Sequence, residues 1–429
     1  MTMAVEGTTA GEAAAADRSD DRAVPAQGFW GLTGLVCLAH FWSHFFQFLL
    51  PSLFPVLKAY YGVGYTELGV LATAFYLASG LAQTPAGFAV DRFGAPRVLA
   101  GGLLLLAVSF AGIAAAPPFA MLLPLMVAAG LGNSVFHPAD YTILGHRIAP
   151  ARVGRAFALH ALSGTLGYAA APAAMVALAG MMPWNRAILL PAALAASAAI
   201  LVAVRRHALA TPQSLAAAAP ASAAAGTAAR RGPDLSAFAS SAVLACFAFF
   251  VLSALPSIGV TGFLSPTLAA RFGTPAETAA AAVTALLAGS AFGTLAGGWL
   301  ADLVRRPDRV VPAGLAAACL LILAAGQAGA PPLVLVGAFA LAGFAAGLTT
   351  PSRDLIIRAA AKSGATGRVF GFVYSGYDIG SSLAPLLLGA LIDHAAPAWV
   401  VPAVAAGYAG MIAAVLLTGG GRRGRGAPA

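Results

Sequence analysis

The sequence predicts an all-α polytopic membrane protein whose twelve transmembrane helices form two pseudo-symmetric six-helix bundles. Three observations lead there. Of 429 residues, 60% are hydrophobic and 9% are charged, with a mean hydropathy of +0.85. A soluble domain carries roughly a quarter charged residues. The apolar sequence falls into stretches near the ~20 residues that a helix needs to cross the hydrocarbon core. The chain also repeats itself. Gly130, Pro138, Ile143, Gly154, Arg155, Phe157, Gly167, Ala171 and Pro172 recur 213 positions later as Gly343, Pro351, Ile356, Gly367, Arg368, Phe370, Gly380, Ala384 and Pro385, without a gap. Such self-similarity marks a duplicated half. The copies differ in their polar groups: Asp140 corresponds to Arg353, Thr165 to Asp378, and His137 to Thr350.

Residues 1–28 are Ala, Gly and Thr with mixed charge, and read as a disordered cytoplasmic tail. No apolar segment follows a basic start, so no cleaved signal peptide is expected. The apolar spans are 29–57, 66–90, 97–116, 119–145, 154–180 and 184–204, then 237–265, 275–302, 309–329, 332–358, 366–393 and 397–418. The first six form an N-terminal bundle, 29–204, and the last six a C-terminal bundle, 237–418. Between them, 205–236 is a low-complexity cytoplasmic linker of Ala, Pro, Ser and Thr; a basic cytoplasmic tail occupies 419–429. Pro51, Pro55, Pro138, Pro256, Pro351 and Pro385 lie inside spans, where neighbouring helices can satisfy the backbone groups they free.

The formal charge of +9 would suggest nucleic acid in a soluble protein. Here the basic residues crowd into short loops on one side: Arg92 and Arg97; His146, Arg147, Arg152 and Arg155; Arg205, Arg206, Arg230 and Arg231; Arg305, Arg306 and Arg309; Arg358, Lys362 and Arg368; Arg422, Arg423 and Arg425. The other side has Lys58, Arg186 and Arg271. This is the positive-inside pattern, so the basic side and both termini are expected in the cytoplasm, and no nucleic-acid partner is expected. Scarce Lys beside abundant Arg and Ala suggests a GC-rich bacterial source, hence a bacterial cytoplasmic (inner) membrane. Cys37, Cys246 and Cys319 stand singly in apolar spans, which implies no disulfide or zinc framework.

Spans three, six, nine and twelve have no charged residue in their interiors and can face lipid. Spans one, four, five, ten and eleven hold His40, His44, His137, Asp140, His160, Arg353, Asp354 and Asp378. A charge in hydrocarbon costs about 2.5 kcal/mol or more, so these spans must face a protein interior or a watery cavity. Two six-span halves with a polar interface make a transporter layout.

Between spans two and three runs Gly87-Phe88-Ala89-Val90-Asp91-Arg92-Phe93-Gly94-Ala95-Pro96-Arg97. This resembles the cytoplasmic loop signature of the major facilitator superfamily. A worn copy, Gly298, Asp302, Arg305 and Arg306, lies in the second half. His44-Phe45-Phe46-Gln47, Leu50-Pro51-Ser52-Leu53, Tyr65-Thr66-Glu67-Leu68-Gly69 and Phe136-His137-Pro138 are similar to the fosmidomycin-resistance antiporter branch, although span four has no basic residue at its middle. The resemblance implies that Gly87, Asp91, Arg92, Gly94 and Arg97 form a latch that holds the halves closed on the cytoplasmic side. Arg92 is a candidate partner for Asp140.

Other candidates follow from spacing. His40, His44 and Gln47 share one helix face at i, i+4 and i+7, where histidine can bind protons or polar cargo. No thiolate or carboxylate is close to them in sequence, so no metal site is expected. Asp378 is near the midplane of span eleven, with Tyr374 and Tyr377 on its side, and is a proton or substrate group; its alternatives are a hydrogen bond to Ser381 or Ser382, or a salt bridge to a histidine. His137 and Asp140 sit one turn apart beside Pro138, with Asn133 a turn before. An Asp140–Arg353 pair across the halves would be a gate; alternatively Arg353 snorkels to the surface with Asp354 beside it. His160, Tyr168, Tyr76 and Gln83 are weaker candidates.

These features point to a secondary active transporter using alternating access, with proton-coupled export of a small organic, anionic or drug-like molecule as the direction the resemblance implies. Proton-coupled uptake of a small metabolite, or a non-transporting membrane sensor on the same scaffold, stand as alternatives. No GxxxxGK[ST] loop is present, so ATP is not the direct driver. No HExxH or comparable set suggests an enzyme, and no cofactor is expected. The expected partners are a small molecule, protons and the lipid bilayer, with the protein a monomer.

Overall fold

A computed structural model of the chain describes residues 28–211, 236, 238–327, 330–361, 365–394 and 396–423. The expected tail up to residue 27, linker residues 212–235, Lys362 and the last six residues of the basic tail lie outside the described residues. The first half contains α1 (Phe29–Ser52), α2 (Phe54–Tyr61), α3 (Tyr65–Phe93), α4 (Ala95–Ala114), α5 (Phe119–Asn133), α6 (Phe136–Arg147), α7 (Val153–Met181) and α8 (Trp184–Val204). The second contains α9 (Ser241–Ile258), α10 (Leu264–Phe272), α11 (Ala276–Leu303), α12 (Pro307–Gln327), α13 (Pro332–Ala360), α14 (Thr366–Asp393) and α15 (Val400–Arg423). Among the described residues, eleven helical stretches are long and apolar enough to cross a membrane. The 29-residue α3, at the second expected span, is outside that set because Glu67, Gln83, Asp91 and Arg92 lower its hydropathy.

Three expected spans are broken helices. The first divides at Leu53 into α1 and α2. The seventh passes three residues after Pro256 into a π turn, Gly259–Phe263, before α10. The fourth divides at Ser134 and Val135 into α5 and α6. Pro138 has no N–H to give the Ser134 carbonyl four residues back, and its ring crowds that carbonyl. Its repeat partner Pro351 lies inside the continuous α13. The break sets His137 and Asp140 in the first turns of α6.

Both halves pack in the same order. α1 lies along α7, α3 along α5, and α4 along α8; in the second half α9 lies along α14, α11 along α13, and α12 along α15. The halves meet where α3 lies on α14 and α7 on α11, with α6 touching α14 and α13 touching α7. The contact is close because glycines line it. A Cβ on Gly87 would stand 2.4 Å from the Arg368 Cα. Gly94, with φ 88°, ends α3 in the left-handed region that favours glycine. Large apolar side chains such as Phe46, Phe75, Phe110, Phe157, Phe339 and Phe370 fill the interiors.

Candidate functional site

Inside the first half, α1, α6 and α7 bring four histidines together, two of them against one carboxylate. Asp140 is completely buried. His160 Nε2 lies 3.0 Å from its Oδ2 and His40 Nδ1 3.1 Å from the same oxygen, the latter off the line of a good hydrogen bond. The His40 and His160 rings stack, with centroids 3.6 Å apart and planes at 29°. The His44 ring lies 4.5 Å from that of His40, and the His137 ring 5.4 Å. One carboxylate can balance one imidazolium, so stacked rings around it can exchange a proton but cannot all be charged. A belt of neutral hydrogen bonds borders the cluster. Ser43 donates to Asn133 Oδ1 at 2.7 Å, Asn133 Nδ2 donates to Ser79 at 3.0 Å, and Tyr168 donates to Gln47 Oε1 at 2.8 Å.

A second network spans the halves. Arg353 pairs with its neighbour Asp354 at 2.9 Å and lies over the Phe250 ring at 4.9 Å. Tyr141 donates to Asp354 Oδ2 at 2.7 Å, and the Tyr374 hydroxyl lies within reach of both Asp354 and Tyr141. The Tyr374 ring stacks on His137, with centroids 4.1 Å apart. The histidine cluster is therefore in ring contact with the Arg353–Asp354 pair through His137 and Tyr374. Asp378 accepts from the Gln83 amide on α3 and forms no ion pair among the described residues. A Cβ on Gly80 would stand 2.9 Å from the Asp378 Cβ, so the two halves touch here as well. The Tyr377 hydroxyl is 2.9 Å from Ser257.

The basic end carries two joints built alike. Asp91 accepts from Arg368 Nε at 3.0 Å and from the Gly367 N–H at 3.2 Å. Asp302 accepts from Arg155 Nε at 2.6 Å and from the Gly154 N–H at 2.7 Å. Each joins an acid in the last turn of a helix of one half to the first turns of a helix in the other, where free N–H groups and the helix dipole favour an anion. The Arg358 guanidinium adds a bond to the Gly145 carbonyl.

Several expectations change. The Asp140–Arg353 gate is not formed: Asp140 is taken by His40 and His160, and Arg353 by Asp354. The acid that neutralises Arg353 is its neighbour Asp354, as the alternative reading had it. Arg92 does not pair with Asp140; it is exposed, over the Phe93 ring at 5.2 Å. Arg97 is also exposed and bonds the Phe93 carbonyl within its own turn. Of the loop signature, Asp91 makes the joint and Gly87 lets Gly367 and Arg368 approach, while Gly94 ends α3. Ser382 bonds the Asp378 backbone carbonyl, and Gln83 rather than a serine or histidine takes the carboxylate. His40, His44 and His137 come together, while Gln47 and Asn133 belong to the bordering belt. Tyr374 serves the Arg353 network rather than Asp378. Sequence reasoning missed Tyr141, and Arg155, Arg368, Gly154 and Gly367 as joint partners. Those four stood in the repeat, and their recurrence in sequence with Asp91 and Asp302 at a like spacing was the available signal.

The arrangement is that of a multi-pass membrane transporter: two bundles in contact along a polar seam, with ionisable groups at its depth. A profile of the Major Facilitator Superfamily matches residues 36–263 and 252–428, and the chain belongs to that family. It is 26% identical over 177 residues to the fosmidomycin resistance protein of Escherichia coli (strain K12), covering 41% of this chain and 43% of that one. It is 28% identical over 138 residues to the uncharacterized MFS-type transporter YfnC of Bacillus subtilis (strain 168), covering 32% and 34%. The chain thus spans well under half the length of these curated relatives in either match. Among solved structures, the fold is similar to the human organic anion transporter MFSD10 (TETRAN), with TM-score 0.68, 18% identity, and 92% and 100% of the two chains covered. It is equally similar to the transporter FucP in the outward conformation, with TM-score 0.68, 17% identity, and 90% and 98% covered.

Proposed function

We propose that this chain exports a small organic, anionic or drug-like molecule in exchange for protons, by alternating access about the polar seam. The bilayer is a bacterial cytoplasmic membrane, with both termini on the cytoplasmic side and the protein acting as a monomer. The observation that carries the reading is the pairing of two features. The basic face is closed by reversible ion-pair joints, and behind them sits Asp378 with an amide partner and no cation among the described residues. A carboxylate at this depth is costly while charged. Protonation removes that cost, so loading and unloading a proton changes which face the halves prefer to close. The resistance protein among the relatives supports export as the direction. The basic loops on the closed face support its cytoplasmic placement.

The test is proton movement in proteoliposomes carrying a preset pH gradient, with candidate anions added, for wild type and Asp378→Asn. Substrate-driven collapse of the gradient in wild type, lost in Asp378→Asn while substrate still binds, is the expected result. A substrate that demonstrably moves without disturbing the gradient would make the protein a uniporter or couple it to another ion.

A further inference from the structure

We infer that His40, His44 and His137 form a binding site for a divalent transition-metal ion, held from behind by Asp140. One ring nitrogen from each of the three histidines lies within 4.8 Å of the others, on two helices that fold back on one another. A tetrahedral zinc site places its nitrogen donors about 3.4 Å apart, so the rings need to move inward by roughly 1 Å. A Cβ on Gly164 of α7 would stand 3.0 Å from both His40 Nε2 and His44 Nδ1, and the glycine leaves that space clear.

The hydrogen-bond inventory marks the same spot. Both ring nitrogens of His44 are buried with no partner. A buried donor or acceptor left unmet costs about 1–3 kcal/mol. His40 differs in a way that suits a metal ligand. Its Nδ1 lies 3.1 Å from Asp140 Oδ2 without a formed hydrogen bond, so a small turn of the ring would seat it on the carboxylate and leave Nε2 as the outward donor. A carboxylate behind a ligating histidine fixes its ring and raises its basicity, the arrangement found around protein-bound zinc. His160 shares that carboxylate and stands behind it with His40, completing a second donor group of His40, Asp140 and His160 within the same 4.8 Å limit.

The donor set selects the ion. Imidazole nitrogens suit zinc, copper, nickel and cobalt, whereas magnesium and calcium require oxygen ligands. Three protein donors leave a fourth position open for water or an oxygen of the cargo. The inference deepens the proposed export reading by naming a metal ion, alone or bound to an oxygen-donor anion, as what the seam carries. It rests on that reading only for this consequence. Binding itself requires no gradient.

The test is titration of the purified, tag-free full chain in detergent with Co2+, read by its visible absorption and by calorimetry. One Co2+ per chain with intense tetrahedral bands is expected, displaced by Zn2+ and not by Mg2+. His44→Ala and His137→Ala each weaken binding at least tenfold, and Asp140→Asn weakens it by about 10–100-fold. His207→Ala, on an exposed residue outside the cluster, leaves binding unchanged. His44→Gln, which keeps a polar side chain, serves where His44→Ala melts early; it also loses the cobalt bands. Absence of saturable binding overturns the inference and leaves proton-coupled transport standing. So does binding that persists in both His44→Ala and His137→Ala. Gradient coupling that fails while cobalt binds removes proton coupling from the proposed function and leaves the metal site.

Discussion

The two halves agree at the basic end of the seam and disagree at its depth. Asp91 with Gly367 and Arg368, and Asp302 with Gly154 and Arg155, are the same joint made twice. Deeper in, the first half carries His40, His137, Asp140 and His160, while the second carries Arg353, Asp354, Tyr374 and Asp378. On the proposed alternating-access reading, the joint opens and closes whatever is carried, so both copies keep it, while the interior meets the cargo and the coupling ion, and one half is enough to hold each. What repeats is the joint, and what diverged is the buried polar chemistry.

The comparison can be broken most severely at the glycines. Gly87→Leu puts a Cβ 2.4 Å from the Arg368 Cα, and Gly298→Leu puts one 2.7 Å from the Ala158 Cβ. Each is expected to abolish closure of the basic face. Spin labels at exposed positions 92 and 305 should lengthen from one short distance to a long one. A large effect in one variant alone would end the equivalence of the two joints. Next come the acids. Asp91→Ala and Asp302→Ala each leave an arginine and a helix N–H without their partner. That costs roughly 1–3 kcal/mol, a shift of about 5- to 150-fold toward the open basic face in the same label experiment. The doubly reversed Asp91→Arg, Arg368→Asp chain should recover part of the loss, since the Gly367 N–H remains unmet.

Smaller effects sharpen the contrast at depth. Tyr141→Phe removes a buried hydroxyl from Asp354 and should cost about 1 kcal/mol, read as a lower melting temperature in detergent. Tyr374→Phe keeps the ring that stacks on His137 and should cost no more. At the bottom of the scale is Arg306→Ala. Its pair with Asp308 is exposed and two residues apart, so its loss should leave the melting temperature unchanged.

The fold was largely readable from sequence because span length and charge placement in a bilayer are set by simple physics. The duplicated half was visible in an ungapped register. The site was readable only in part. His40, His44 and His137 were found because helical spacing and membrane depth single them out. Their relation to Asp140 depends on the break before Pro138, which turns α6 toward α1 and α7, and spacing along one helix does not report it. Gln83 stood only as a weaker candidate and Tyr141 was missed because their partners, Asp378 and Asp354, lie in the other half of the chain. Arg353 drew a distant acid in expectation because repeat equivalence placed Asp140 opposite it. The acid next in sequence took it instead.

The bond between Tyr141 and Asp354 joins positions 213 apart, the repeat distance itself, and so does the one between Gly145 and Arg358. Each joins a position to its own counterpart across the pseudo-dyad. In a homodimer of identical six-helix chains, such an isologous contact would set a residue against its own copy. A carboxylate would there face a carboxylate, and an arginine an arginine. Gene fusion lifts that restriction. Two diverged copies, here joined in one chain, can place tyrosine on one side of the axis and aspartate on the other, and these unlike pairs are therefore younger than the duplication that made them possible.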